Sequence, residues 1–436
     1  MLRISHLLLL FAAYLGVVVV LTWPLAPSAA THLPCPSAAC TYDPFYSAWV
    51  LAYESHALAT APGALADANI YHPTPNALFY GPAGFGTLPY FAPLFLATGA
   101  PALALNVTLL VCIALSATAL HAVIVLWTGS HAAGLFAAAT LLVNRWVLWG
   151  FIGATPHLAS LQYFPLIVLL AARRLERAAG MLALLVLIVL QCLTDTVYVA
   201  LAVLAPLAVL AAARVARPAW RASGYRLLGV LALAVLAMIP VYAGYLGVRA
   251  ANPLLAAQTV WPPFEPPFDL SGLFWKLGPP LGPPTTVGPT AVAVIVIGGA
   301  LALARRRGGI AVREGWLHGA LWTVVGTLLS LTPVALFLGR AVTLPHAWLD
   351  QWTPFYRIIR APTRLGVAAL IGLCLLAGVA FAEITRRPSG APARGPLQRL
   401  WRALALLAVL LSSYLVAPGG AGPLPRPFPI TPVPSV

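Results

Sequence analysis

The sequence predicts an all-α integral membrane protein, a polytopic bundle of about 11 transmembrane helices with a large first extracytoplasmic loop carrying amphipathic interfacial helices. Three observations lead there. Of the 436 residues, 61% are hydrophobic and only 8% are charged, with a mean hydropathy of +0.91. Soluble domains carry about a quarter charged residues, so this chain lacks the groups that would coat a water-facing surface. Apolar runs recur along the whole chain, and arginine-rich runs punctuate them on alternate sides. The net charge of +15 therefore marks membrane orientation and not nucleic acid, since all but one of the 25 basic residues are Arg (the exception is Lys276).

The first apolar run, 7–21, follows Arg3 and is just long enough to cross, given that roughly 20 residues span a bilayer. Ser28-Ala29-Ala30 beyond it resembles a signal-peptidase site, which leaves a cleaved leader as the alternative. Further spans are expected at 102–128, 131–148, 158–172, 180–194, 197–213, 227–248, 289–304, 317–338, 365–383 and 403–417. With the N-terminus cytoplasmic, the runs Arg173–Arg177, Arg214–Arg226, Arg305–Arg313 and Arg386–Arg402 all fall inside. A wrong span count would scramble that regularity. The expectation is a single domain over 1–417 with exported loops at about 25–93, 249–288 and 339–364, then a Pro-rich extended tail, 418–436. The chain is placed in a bacterial inner membrane, multi-pass, with an extracytoplasmic C-terminus.

The first exported loop holds the sharpest local signal. Cys35 and Cys40 precede Asp43 and are either a small disulfide ring, as an oxidising compartment allows, or two free thiols. Asp43 followed by Pro44 is a good helix start, an N-cap acceptor and then a residue with preset φ. Phe45, Trp49, Ala52 and His56 fall on one side of the helix that follows, which suggests an interfacial helix. Asp43 is then a capping residue, a carboxylate poised as a base at the membrane surface, or both. Glu54 returns to nearly the same face after 11 residues, but that distance is roughly 16 Å of rise, so the two acids cannot form a pair on one helix. Glu54 is expected to contact another loop or to face water. His72 lies in the aromatic and Pro-rich run that follows.

The order of one span, a large loop opening on Asp43, the run "NIYHPTPNALFYGP" and the late "FYRIIRAPTRLGVAALIGLCLLAG" resembles bacterial members of the GT-C superfamily. These are membrane glycosyltransferases that use polyprenyl-phosphate sugars. The resemblance covers most of the chain in layout, but its motifs cover only the first loop and the late Arg-rich segment. In that family the acid opening the first exported loop is the catalytic base or holds a metal, a role that falls by position on Asp43. The family often pairs it with a second acid, whereas Tyr42 and Pro44 flank Asp43 here.

The chemistry of such a transfer needs a carboxylate to deprotonate an acceptor hydroxyl and cations to receive the departing phosphate. Arginine suits the second task because its planar fork matches phosphate oxygens. Arg357, Arg360 and Arg364 precede the span at 365–383 on the outer side, where the orientation rule does not put them. They are either phosphate ligands, contacts to lipid, or partners of Asp350. His157 and Asp195 sit at outer span boundaries; Asp195 is a functional group at membrane depth or the cap of the next helix. The expected partners are membrane lipids, a polyprenyl-phosphate sugar as donor, and a glycan, lipid or protein acceptor. No cofactor is assigned, and a divalent metal is compatible with the Asp43 carboxylate. Two other functions stay open: a non-catalytic GT-C-like scaffold, and a transporter or flippase of lipid-linked glycans.

Overall fold

A computed structural model describes residues 3–34, 43–144, 146–147, 159–252, 285–305, 310–344, 361–386 and 430–433, with the single positions 347, 359 and 404. Twelve helices are described: α1 (Ile4–Leu21), α2 (Asp43–Thr60), α3 (Leu88–Thr98), α4 (Pro101–Thr128), α5 (His131–Leu142), α6 (Phe164–Ala171), α7 (Ala178–Cys192), α8 (Tyr198–Val215), α9 (Arg221–Ala251), α10 (Pro289–Arg305), α11 (Ile310–Ser330) and α12 (Val367–Ile384). Among the described residues, the stretches Ile4–Leu21, Pro101–Thr128, Tyr198–Val215, Pro218–Ala251 and Pro362–Ile384 are long and apolar enough to cross a membrane. Shorter apolar helices accompany them, which is consistent with an all-α membrane protein.

Local chemistry sets the helix ends. Pro101 opens α4, where its missing N–H removes a donor that would have no partner. Gly129 closes it with φ 70°, and its N–H donates to Val125 O at 2.8 Å. Ser130 caps α5 by accepting the Ala133 N–H at 3.3 Å. Inside the apolar helices, Thr108, Ser116, Thr118 and Thr140 return their hydroxyls to the carbonyl four residues back, so none is left unpaired in the core.

The core sits around α12, whose apolar window is 94% buried. Small residues let neighbouring backbones come close, the packing that apolar helices use when water supplies no driving force. Gly326 of α11 lies against the Ala369 backbone, and Gly372 of α12 against Thr323. Gly298 of α10 faces Ala380 in the same way. Phe136 stacks on Phe381 at 4.6 Å and Phe164 meets Trp322 edge-on at 5.3 Å.

Helix ends meet in two groups. In one, Trp127 near the end of α4 stacks on His318 of α11, and Gly315 abuts Val379 of α12. Arg214 of α8 donates to Ala171 O at the end of α6, and Arg305 of α10 pairs with Glu383 at 3.1 Å. In the other, Asn144 Nδ2–H donates to Thr286 O, Gly86 N–H to Leu193 O and Ala361 N–H to Tyr198 Oη. The alternation of helices therefore gathers Arg174, Arg214, Arg305 and Arg386 at one end, and the first loop and Arg364 at the other.

Several boundaries differ from expectation. The span expected at 317–338 stops at Ser330, and Val334–Phe337 (β2) instead pairs antiparallel with Arg340–Thr343 (β3). Leu338 and Gly339 between them have φ of 50° and 76°, the left-handed pair a tight hairpin turn needs. Residues 88–98, partly assigned to the exported loop, form the apolar helix α3 with Pro89 in its first turn. The helix expected over 131–148 ends at Leu142, after which Asn144 Oδ1 accepts the Trp146 and Val147 amides. In the tail, Ile430–Pro432 (β4) pairs antiparallel with His32–Pro34 (β1), so that part is held and not merely extended.

Candidate functional site

The site grows from α2. Asp43 occupies its first turn and is exposed, where a negative charge complements the positive helix end. The stripe that packs is Ser47, Leu51, Glu54 and Ser55, at helical spacing. The expected stripe of Phe45, Trp49 and Ala52 is half-buried, and His56 is exposed. Small residues explain the choice: Ser47, Ala48 and Ser55 let α2 approach its neighbours, while Tyr46 tilts against Trp49 at 5.6 Å and Trp49 stacks on Tyr53 at 5.9 Å beside them.

Glu54 reaches another loop, as one of the two expectations had it. It is fully buried; Oε1 accepts the Gly84 N–H at 3.3 Å, and Oε2 has no hydrogen-bond partner among the described residues. Burial pushes its carboxyl well above the usual carboxylate range, opposed by the Gly84 amide. Burial also pushes the Tyr46 hydroxyl up.

The loop that carries Gly84 is clamped from three sides. Tyr245 of α9 donates to Gly81 O at 3.1 Å and accepts the Ala83 N–H at 2.9 Å. Phe79 packs edge-on against Tyr245 at 5.1 Å. Gly86 N–H donates to Leu193 O at 2.9 Å, where the loop rests on the corner between α7 and α8. Asp195 occupies that corner and is buried; its Oδ1 accepts the amides of Val197, Tyr198 and Val199 at 3.1, 2.6 and 3.3 Å. That is the capping geometry, three donors at a helix start converging on one oxygen. Tyr245 lies within electrostatic reach of both Glu54 and Asp195.

Arg364 completes this end. It lies in the short 3-10 turn Pro362–Gly366 that leads into α12, with its guanidinium 5.3 Å from the centre of the Tyr198 ring. Tyr198 also accepts the Ala361 N–H at 3.2 Å through its hydroxyl, so one ring holds both the turn and the arginine. Nearby, Pro73, Thr74, Pro75, Asn76 and Tyr80 face Val248 of α9 across a cavity of about 240 Å³. His72 is exposed beside it, and Asp67 Oδ1 accepts the Asn76 N–H at 2.8 Å to shape the loop.

The structure thus brings Glu54, Asp195 and Arg364 to one end of the bundle, linked through Tyr245 and Tyr198, and puts Asp43 at the far end of α2 from Glu54. Cys35, Cys40, His157, Arg357 and Arg360 lie outside the described residues. No three His, Cys, Asp or Glu side chains come together among the described residues. Residue-by-residue reasoning missed Tyr198, Tyr242 and Tyr245. Their signal was a phenol at 242 and another at 245, three apart and so on one helix face, near the end of an apolar run. Tyr242 uses it to donate to Thr196 O at 2.7 Å. No protein-family model, no curated protein and no solved structure matches this chain.

Proposed function

We propose that the chain is a membrane glycosyltransferase of the GT-C type, moving a sugar from a polyprenyl-phosphate donor to an acceptor at the extracytoplasmic face of a bacterial inner membrane. The observation that carries the proposal is Arg364: a guanidinium held on Tyr198 at the entrance to the most buried helix, at the end away from the basic runs. An arginine kept at that end is placed to receive a phosphate leaving group. Asp43, exposed at the head of α2, is the proposed base that takes the proton of the acceptor hydroxyl. The bond from the anomeric carbon to the phosphate oxygen breaks as the bond to the acceptor oxygen forms. Glu54, buried against Gly84, and Asp195, which caps α8, serve to position the loop and the α7–α8 corner.

A non-catalytic scaffold of the same type is the second reading, favoured by the cap geometry of Asp195 and the lack of an acid beside Asp43. Transfer of labelled sugar from a panel of polyprenyl-phosphate sugars, with purified wild type and Asp43→Asn compared, separates the two. Turnover that collapses in the variant supports the transferase. Turnover by neither protein, with both folded, supports the scaffold.

A further inference from the structure

The opposite, basic end of the bundle holds a feature that the transfer reading does not use. Arg214 closes α8 with only 5% of its surface exposed. Its guanidinium donates to Ala171 O at 2.6 Å and to Ser223 Oγ at 3.4 Å, which occupies two of its five N–H groups. Neither acceptor carries charge. Glu314 is the carboxylate within electrostatic reach of Arg214, but no direct ion pair joins the two among the described residues. One carboxylate offsets at most one of the arginines gathered here, so the site keeps positive charge for an anion that comes from outside the chain.

The surroundings say what kind. The Trp220 ring takes two guanidinia, Arg174 at 4.8 Å and Arg214 at 5.2 Å from its centre. Arg214, Arg217, Trp220 and Glu314 line the mouth of a cavity of about 200 Å³, with Leu317 and Leu321 continuing its wall along α11. That volume is over ten times the ~10–15 Å³ needed to admit one water. Arg174, Arg214 and Arg217 outweigh the single carboxylate. Polarity also runs along the helix axis: charge and indole lie at the helix ends, where a membrane boundary falls, and leucines lie one and two turns deeper. A soluble anion needs only the first part, whereas an amphiphile fits both.

We propose that the pocket between the end of α8, the start of α9 and the first turns of α11 binds the phosphate of an anionic glycerophospholipid, with Arg214 and Arg217 on the phosphate, Trp220 beside the headgroup and an acyl chain along Leu317 and Leu321. Basic pockets between membrane helices take anionic headgroups by this combination of charge and apolar depth. The lipid would join α8, α9 and α11 at the end opposite the proposed transfer site, so the two sites are independent.

Native mass spectrometry of the purified full chain in detergent, with phosphatidylglycerol, phosphatidylcholine or inorganic phosphate added, tests this. Phosphatidylglycerol is expected to be retained in preference to phosphatidylcholine, and retention falls about fivefold in Arg217→Gln. Trp220→Ala lowers it too, and Arg226→Gln, an exposed arginine of α9 away from the pocket, leaves it unchanged. Arg214→Gln abolishes it; if that protein does not fold, Arg217→Gln and Trp220→Ala decide the matter alone. Equal retention of the two lipids, or an equal loss in Arg226→Gln, overturns the proposal. Inorganic phosphate that displaces the lipid marks a soluble-anion site and overturns it as well.

Discussion

Glu54 and Gly84 meet through one 3.3 Å hydrogen bond, from the Gly84 amide to Glu54 Oε1, while the second carboxyl oxygen is buried with no partner among the described residues. A carboxylate there would leave charge in an apolar pocket, so burial raises the carboxyl's pKa, and α2 lies in the loop between the first two candidate spans. Its pKa is thus higher in the folded chain than in the unfolded one, near 4.3. The stability it contributes is complete below that unfolded value and is lost as pH rises toward the folded one. Glu54→Gln keeps an acceptor for Gly84 and never ionises. Thermal unfolding in detergent between about pH 5 and 8 should show the variant gaining on wild type as pH rises. Parallel profiles would mean that Glu54 is ionised in the fold.

Gly86 is where the first loop rests on the α7–α8 corner. A Cβ there would meet Leu190 O and the Thr194 amide, both backbone atoms that cannot swing away. Gly86→Ala must lift the loop and loosen its 2.9 Å bond to Leu193 O. The expected cost is about 1–3 kcal/mol, seen as a lower Tm and faster proteolysis within residues 62–87. Gly180, which has open space around it, accepts Ala without loss and serves as the control.

The apolar rhythm and the arginine runs were enough to mark α4, α7, α8, α9, α10 and α12 to within a few residues, because length and composition alone decide whether a helix is apolar throughout. The hairpin of β2 and β3 was not legible, since Val334–Phe337 is as apolar as the span before it and Leu338 is an unusual residue for a left-handed turn position. The site was legible as residue types and not as an arrangement. The sequence left Glu54 either on another loop or in water and Asp195 either functional or a helix cap, and only the fold shows Glu54 buried on Gly84 and Asp195 gathering three amides. Tyr245, which clamps the loop, comes from a helix some 160 positions later, a pairing that no local pattern encodes.

The contact between α11 and α12 rests on glycine. Gly372 lies against the Thr323 amide and Gly326 against the Ala369 amide, so any larger residue must part the two helices. Gly372→Val is expected to destabilise the protein by about 1–3 kcal/mol or more. Arg305, which pairs with Glu383 at the far end of the neighbouring contact, should then become more accessible to modification. Wild-type stability in Gly372→Val would show that the helices are further apart than described.

Arg364 is held by Tyr198 and not by a carboxylate among the described residues, so its removal should cost function more than fold. Arg364→Ala is expected to lower kcat/KM for sugar transfer by about 10- to 100-fold, the worth of a charge-assisted contact of roughly 1.5–3 kcal/mol. The Tm should change by no more than a few degrees. Arg364→Lys recovers little, because a point charge lacks both the fork and the flat face that sits on Tyr198. Full activity in the alanine variant would remove Arg364 from the site.

Asp195 allows the sharpest separation of structure from chemistry. Its Oδ1 gathers three amides at the start of α8, and an asparagine offers a carbonyl oxygen in the same place. Asp195→Ala is expected to cost about 0.5–2 kcal/mol, the usual worth of a lost cap, and Asp195→Asn much less. A base behaves in the opposite way: asparagine is as inactive as alanine, since neither accepts a proton at working pH. Transfer activity near wild type in Asp195→Asn, with Tm lowered only in Asp195→Ala, makes the residue a cap and leaves Asp43 as the base. Activity lost in both variants, with Tm lowered only by alanine, gives Asp195 the proton and moves the reaction to the α7–α8 corner, between Tyr198 and Tyr245.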